Sequence, residues 1–383
     1  MITREITDTL RAYADSFRCV LIVGPRQSGK TTIAKHVFPS KPYVSLENLD
    51  EQELATNDPK AFLARYPNGA ILDEVQRVPG LLNYLQAILD ETTEDGLFIL
   101  TGSNNILLQE GVTQSLAGRV GVLDLLPLSY REISDVEASV GLNELILKGG
   151  YPEIYQRNRK PDLWYPSYIR TYVERDVRQV KQIENVTLFQ NFIRLCAGRV
   201  GQQINLTALS NAAGLDIRTV QSWLSVLEST YVTYRLPPFF ENYNKRLVKS
   251  PKLYFYDSGL ACSLLSINRE EELFASHFKG ALVENFLISE CIKNNINNRL
   301  GAQYFYWRDN NGVEVDLLQL KSNTLTPIEI KSAQTFTGEF RKNLKKFMSY
   351  AKLNHGCILY DGDQEFSGTD GIDVMNWRSF LLG

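Results

Sequence analysis

The chain has 383 residues, of which 44% are hydrophobic and 22% charged, and a net charge of −3. This is the balance of an ordinary soluble globular protein, and the length exceeds what one core supports, so two or three domains are expected. No apolar run approaches the ~20 residues of a membrane span, and the start, MITREITDTLRAYADSF, is amphipathic and unlike a signal peptide, which points to the cytoplasm and no membrane partner. The five cysteines are scattered in apolar runs and read as buried reduced thiols; with three histidines, no zinc site of His/Cys spacing is visible. Charge is unevenly spread. Residues 1–150 carry 13 Lys and Arg against 20 Asp and Glu, whereas residues 186–250 carry 7 against 3, a basic middle that hints at a polyanion.

In chain order, residues 2–17 read as a helix with an apolar face of Ile6, Leu10, Tyr13 and Phe17. Residues 19–23 are a buried strand. Gly24, Pro25, Arg26, Gln27, Ser28, Gly29, Lys30 and Thr31 then fit G-x-x-x-x-G-K-[ST], and Thr32 opens a predicted helix. Strand, loop and helix are the context this ATP-binding motif needs. The glycines let the backbone curl its N–H groups toward an anion, and the helix adds the positive end of its dipole. Lys30 supplies a point charge for the β- and γ-phosphates, and the Thr31 hydroxyl suits Mg²⁺, which takes oxygen ligands.

Residues 42–46 read as a second strand and 50–65 as helical. GAILDE (69–74) is a short apolar strand ending in two acids. After a phosphate loop, Asp73 is expected to help hold Mg²⁺, and Glu74 to act as general base on the attacking water. Residues 97–101 are another strand. Ser103, with Asn104 as competitor, is positioned to reach between the γ-phosphate and the water. Arg119, before a strand over 120–126, is a candidate arginine finger on a neighbouring subunit's nucleotide.

The run GPRQSGKTT, ILDEVQ, LTGSN, SLAGR, LPLSYREI, GGYPEI and YIRTYVERDV resembles bacterial and archaeal AAA-type ATPases with a long C-terminal extension, and the resemblance covers nearly the whole chain. It implies an α/β core with a five-stranded parallel sheet and a helical lid. It also implies nucleotide sites at subunit boundaries, hence a ring such as a hexamer. Arg170 or Arg175 is implied as a further nucleotide sensor, in a helix that also carries Arg178.

From 188 to 236 the pattern is helical and basic. Residues 204–215 read as a helix ending at Gly214, and Asp216 as the N-cap of a helix over 218–229. With strands after it, this predicts a winged helix. Arg218, Thr219, Gln221 and Ser222 suit a DNA groove, and Lys245, Arg246 and Lys249 suit phosphates. Ala208, Leu209, Val220, Trp223, Leu224 and Leu227 read as core.

In the last third, Glu284 falls in a helix, Asp316 in the strand GVEVDLLQL, and Glu329 and Lys331 two apart in PIEIKSA, so the last two share a strand face. Three carboxylates and a lysine suit metal-assisted phosphodiester hydrolysis with Mg²⁺ or Mn²⁺. Helix Glu, strand Asp and E-x-K resemble the PD-(D/E)xK nuclease superfamily, over roughly 250–383. This implies Glu284, Asp316 and Glu329 as metal ligands and Lys331 as the residue that orients the water. Tyr304, Tyr306 and Trp307 are either core or stacking platforms for an unpaired base.

The domains are therefore expected as an AAA+ core at 1–127, a lid at 128–185, a winged helix at 186–250 and a nuclease-like α/β domain at 251–383. The leading expectation is an ATP-hydrolysing machine that moves or remodels DNA, branched DNA included, with a possible Mg²⁺-dependent deoxyribonuclease. The alternative is a nucleotide-controlled switch whose C-terminal half binds a protein and cuts nothing. A kinase-like transferase is less favoured, because Asp73, Glu74 and Arg119 suit hydrolysis.

Overall fold

The computed structural model describes residues 2–103, 116–173, 185–239 and 250–383. The first part is built on five parallel strands, β1 (Cys19–Gly24), β2 (Tyr43–Ser45), β3 (Ile71–Asp73), β4 (Phe98–Ser103) and β5 (Val120–Asp124). They lie in the order β2–β3–β4–β1–β5. The central strand β1 pairs with β4 through Cys19↔Phe98 and with β5 through Cys19↔Val120. All six of its residues are buried. A strand covered on both faces must be apolar throughout, which is why CVLIVG shows no alternation. Cys19, Leu21 and Val23 enter one core, and Val20 and Ile22 the other. Because the strands are parallel, the loops after β1, β3 and β4 collect at one edge.

Two expected helices differ from the structure. The N-terminal helix is shorter, Thr7–Ala14. The run over 50–65 is two helices, Leu49–Asn57 and Pro59–Ala64. Asp58 separates them, and its side chain accepts from Ala61 N at 2.9 Å. Pro59 has no N–H to give the first helix but suits the first position of the second.

After β5 come four short helices, Tyr130–Ser134, Leu142–Lys148, Pro152–Gln156 and Pro161–Tyr168. Helices Val186–Ala197, Leu206–Ala213 and Ile217–Ser229 follow, then an antiparallel pair of β6 (Thr233–Leu236) and β7 (Lys252–Phe255). Gly214 ends the second of these helices at φ 65°, and Asp216 caps the third by accepting from Thr219 N at 3.0 Å. Leu209, Val220, Trp223, Leu224 and Leu227 are buried, and Ala208 is half-buried. Lys245, Arg246 and Lys249 lie outside the described residues.

The last part holds helices Ser258–Leu264, Glu270–Ala275 and Lys279–Asn298, and a second sheet. Its strands are β8 (Gln303–Arg308), β9 (Glu314–Lys321), β10 (Thr324–Lys331), β11 (Gly356–Tyr360), β12 (Phe366–Ser367) and β13 (Ile372–Asn376). The order is β12–β13–β11–β10–β9–β8. Strands β8, β9 and β10 form an antiparallel meander, and β11 returns parallel to β10 after helix Arg341–Ala351. Tyr306 is fully buried with its hydroxyl on Ser250 O, Tyr304 is half-buried on Cys291 O, and Trp307 packs on Phe347, so all three aromatics are packing residues.

One hydrophobic core joins the short helices, the helical triplet, helix Lys279–Asn298 and the near face of the second sheet, through residues such as Leu145, Phe192, Trp223, Phe255, Leu287 and Ile328. It crosses the boundaries expected at 185/186 and 250/251. Asp257 pins it. Buried at 2% exposure, its carboxylate accepts from Gly150 N and the Tyr165 hydroxyl, each at 2.7 Å, and from Leu260 N at 2.8 Å. Replacing Asp257 with Ala strands the buried N–H groups of Gly150 and Leu260, while the Tyr165 hydroxyl keeps Lys148 O at 2.9 Å. It should cost about 2–5 kcal/mol of unfolding free energy in denaturant titration; a loss under about 0.5 kcal/mol would show that the node is not needed.

Candidate functional site

The loop after β1 curls as its glycines demand. A Cβ on Gly24 would collide with Leu125 O, and Gly29 has φ 97°. Gln27 also takes positive φ, at 61°. Helix Lys30–Val37 starts directly from Gly29, so its free N–H groups face the loop. Lys30 is buried, and its Nζ donates to Gly24 O at 3.0 Å and Pro25 O at 2.8 Å. The Ser28 hydroxyl and Gln27 Oε1 are buried without a hydrogen-bond partner. Arg26, Gln27, Gly29, Lys30, Thr31 and Thr32 line a cleft of about 460 Å³. Its other walls are Ile2, Arg4, Glu74 and Leu128, with Pro152, Gln156 and Arg157 from the first turns of GGYPEI and beyond.

Asp73 ends β3, flanked by β2 and β4, and both neighbours hold it. The Thr31 hydroxyl donates to its Oδ1 at 2.9 Å and the Tyr43 hydroxyl to its Oδ2 at 2.8 Å. The Thr101 hydroxyl also donates to Oδ1. Burial, then the bond to Asp73, pushes the Tyr43 phenol up to about 12, so it stays a donor. Glu74 follows in the left-handed region, at φ 60°. Burial pushes its carboxyl up, with Lys30 and Arg26 pulling back. Gln76 Nε2 donates both to Glu74 Oε2 and to Ser103 Oγ, the latter at 3.0 Å. The donor set fits a nucleotide and Mg²⁺: a hydroxyl and a carboxylate oxygen stand together at the base of an N–H-rich loop.

Sequence reasoning missed Arg4, Tyr43, Gln76, Thr101 and Arg157. Gln76 and Thr101 lie inside motifs already singled out, two residues from Glu74 and Ser103. Arg4 and Tyr43 carry no local signal, since only the fold brings them in. Asn104 and Arg175 lie outside the described residues, as does Arg178. Arg170 is described but does not line this cleft. It borders another of about 390 Å³, with Asp162, Gln190, Arg194 and Asn268. Arg119 also lies off the cleft, paired in its own chain with Asp90, Nη2 to Oδ2 at 3.1 Å.

The C-terminal residues expected to share a metal do come together, but not as ligands. Among the described residues no three His, Cys, Asp or Glu side chains are placed to hold a metal ion. Glu284, Asp316 and Glu329, expected as ligands, are engaged by donors of the protein, and Lys252 is the charged one that the motif did not include. Its Nζ lies 2.9 Å from Glu284 Oε1 and 2.5 Å from Glu314 Oε1. The Tyr254 hydroxyl donates to the same Glu284 oxygen. Asp316 Oδ2 accepts from Ile330 N at 2.8 Å, and Lys331 Nζ donates to Glu329 Oε1 at 2.6 Å. Each expected ligand therefore already has a donor. Burial, offset by Lys252 and reinforced by Asp316, pushes Glu284 up to about 7. Burial and Asp316 push Glu329 up to about 8, against Lys331.

Comparison with known proteins agrees with the first sheet. Residues 16–134 match a family described as an AAA domain. Residues 139–271 and 279–380 match two families described as domains of unknown function. The chain is similar to an uncharacterized protein of Mycobacterium tuberculosis, 29% identical over 374 residues, covering 96% of this chain and 82% of that one. An uncharacterized protein of Haemophilus influenzae is 20% identical over 418 residues, covering 100% of this chain and 99% of that one. Among solved structures, a Walker-type ATPase of Pyrococcus abyssi aligns with a TM-score of 0.44 and 14% identity, over 69% of this chain and 96% of that one. The parallel sheet, the phosphate loop and the AAA match over residues 16–134 together support an AAA-type P-loop ATPase core. No helix among the described residues is long and apolar enough to cross a membrane.

The raised carboxyls make stability depend on pH. Folded Glu284 and Glu329 hold protons that the unfolded chain, near 4.5, has released. Stability should therefore fall as pH rises from about 4.5 to about 8. In Glu329→Gln that fall should be shallower; an unchanged slope in urea titrations across this range would remove Glu329 as its source.

Proposed function

We propose that this protein hydrolyses ATP at the phosphate-loop cleft and uses the cycle to move or remodel DNA. The observation that carries the first half is the Asp73–Glu74 pair, fixed by Thr31, Tyr43, Thr101 and Gln76 beside an N–H-rich loop. The loop N–H groups and Lys30 would hold the β- and γ-phosphates, while Ile2 and Pro152 border the cleft with apolar atoms. Thr31 and Asp73 would hold Mg²⁺, which when bound offsets phosphate charge. Glu74, its carboxyl raised by burial, takes a proton from water more readily than a surface glutamate. Gln76 bridges it to Ser103, so both face the water from one hydrogen-bonded unit. A ring places Arg119 at a neighbour's site once it exchanges Asp90, a surface pair of small energy.

Support for DNA comes from the helical triplet and the β6–β7 pair, the order of a winged helix. Arg218 and Gln221 are exposed on the helix whose other face is buried. The C-terminal order of helix, three-stranded meander, helix and parallel strand supports a nuclease-like fold. Lys252 in its carboxylate cluster favours a binding role over cleavage, and it equally favours the second reading, a nucleotide-controlled switch that binds a protein partner.

The deciding experiment is ATP turnover with single-stranded, duplex, forked and four-way DNA. One class should stimulate turnover, and Glu74→Gln should slow it about 100-fold or more while still binding ATP. Flat turnover across the DNAs would leave the switch, and normal turnover in Glu74→Gln would move the base elsewhere. Arg119→Ala should lower turnover about 1,000-fold with the oligomer intact by sedimentation; full activity would place the finger on another arginine.

A further inference from the structure

We propose that Lys252 is a resident cation that closes the C-terminal carboxylate cluster to divalent metal. The inference stands apart from the ATPase reading, since it concerns another site and another ligand. Its basis is geometric. Lys252 is the first residue of β7, which pairs with β6 and belongs to the hairpin after the helical triplet. It is only 2% exposed. From there its ammonium reaches Glu284 on helix Lys279–Asn298 and Glu314 on β9, and lies 5.4 Å from the centre of the Tyr306 ring. Three faces of the –NH₃⁺ are thus supplied by two carboxylates and a π surface.

The backbone around it leaves little room for retreat. Leu236 pairs with Lys252, and Gln203 bridges to it. Phe239 N donates to Tyr306 O at 2.7 Å, and Tyr306 N to Pro237 O at 3.0 Å, so the hairpin is stitched to β8 on either side. A divalent ion between Glu284, Asp316 and Glu329 would have to use their second oxygens, because Lys252 and Tyr254 hold Glu284 Oε1, Ile330 N holds Asp316 Oδ2, and Lys331 holds Glu329 Oε1. It would also sit beside a buried ammonium of like sign. One of those second oxygens is fully buried. Glu329 is 3% exposed, and its Oε2 is buried without a donor. In a cluster of four acids, it is the buried oxygen that Lys252 leaves without a partner. Withdrawing the ammonium leaves Glu284 Oε1 to Tyr254 alone and frees Glu314 Oε1, hard oxygens of the kind that Mg²⁺ or Mn²⁺ takes together with those of Asp316 and Glu329.

The test is Mn²⁺ binding by calorimetry to full-length, nucleotide-free protein carrying Asp73→Asn, which silences the phosphate-loop site. This background should bind no Mn²⁺ in the C-terminal domain. Adding Lys252→Met should create one Mn²⁺ equivalent, at least about 10-fold tighter than any residual binding by the background, the low end of the range over which a metal site's neighbours shift affinity. Adding Asp316→Asn should remove it again. Mn²⁺ should also raise the melting temperature of the Lys252→Met protein alone. The proposal is overturned if the background protein already binds an equivalent that Asp316→Asn abolishes. That measurement leaves Lys252 in place, so it decides the question even where Lys252→Met folds poorly. A folded Lys252→Met protein that gains no Mn²⁺ overturns it as well.

Discussion

The structure hangs on the burial of one guanidinium. Arg4 is 6% exposed, and each of its nitrogens is used. Nε donates to Glu132 at 2.9 Å, Nη1 to Ser28 O in the phosphate loop at 2.7 Å, and Nη2 to Leu126 O just beyond β5 at 2.7 Å. Glu132 in turn closes a capping box with Ser129 and accepts from Glu5 N. A planar, permanently charged fork can hold three such acceptors in one geometry, and a lysine cannot. Leaving one partner of a buried pair uncompensated costs about 3–5 kcal/mol. The loop's shape is therefore set partly by the residue that also positions the helices walling the cleft.

A second buried pair carries this scaffold into the C-terminal part. On helix Lys279–Asn298, Lys293 Nζ donates to Glu290 at 2.7 Å and to Leu128 O at 2.9 Å, while Glu290 accepts from Tyr130 N. Asn297 O accepts the Thr9 hydroxyl at 2.7 Å. The same helix presents Glu284 to Lys252. Nine residues at 1.5 Å each separate Glu284 from Lys293, about 14 Å of continuous helix. A rigid element anchored at both ends by buried charge moves as a body or not at all. A nucleotide-driven shift of the residues near Leu128 and Tyr130 would thus reach the carboxylate cluster with little loss, provided the helix has two resting positions.

Much of the first sheet was legible because its signals are local. A buried parallel strand must be apolar without alternation, a phosphate loop must have glycine where a Cβ collides, and a strand-end acid pair needs no distant information. The strands over 19–23, 42–46, 69–74, 97–101 and 120–126 each correspond to an observed strand within a few residues. What was not legible depends on topology. Tyr43 serves Asp73 because β2 lies beside β3, and Arg4 serves Ser28 across 24 residues. The single helix expected over 50–65 failed for a local reason that was readable: Asp58–Pro59 is a cap followed by a helix-starting proline.

The carboxylate cluster shows where motif logic stops. Glu284, Asp316, Glu329 and Lys331 match a pattern of residue types, and the fold does bring them into one electrostatic neighbourhood. Metal binding, however, depends on which lone pairs remain free, and that is decided by residues outside the motif. Lys252 is 32 positions before Glu284, at the very start of the same expected domain and outside the motif. Burial alone would pull its pKa down, yet Glu284, Asp316 and Glu314 together raise it above the ordinary range. That shift favours the ammonium form, and its charge offsets the crowding of the acids around it. In this chain the acids and the lysine explain each other: the hairpin is held to the second sheet by the same charge that occupies the cluster. An acidic constellation of this kind is evidence of a buried negative potential, and the nearest cation in three dimensions determines what that potential is for.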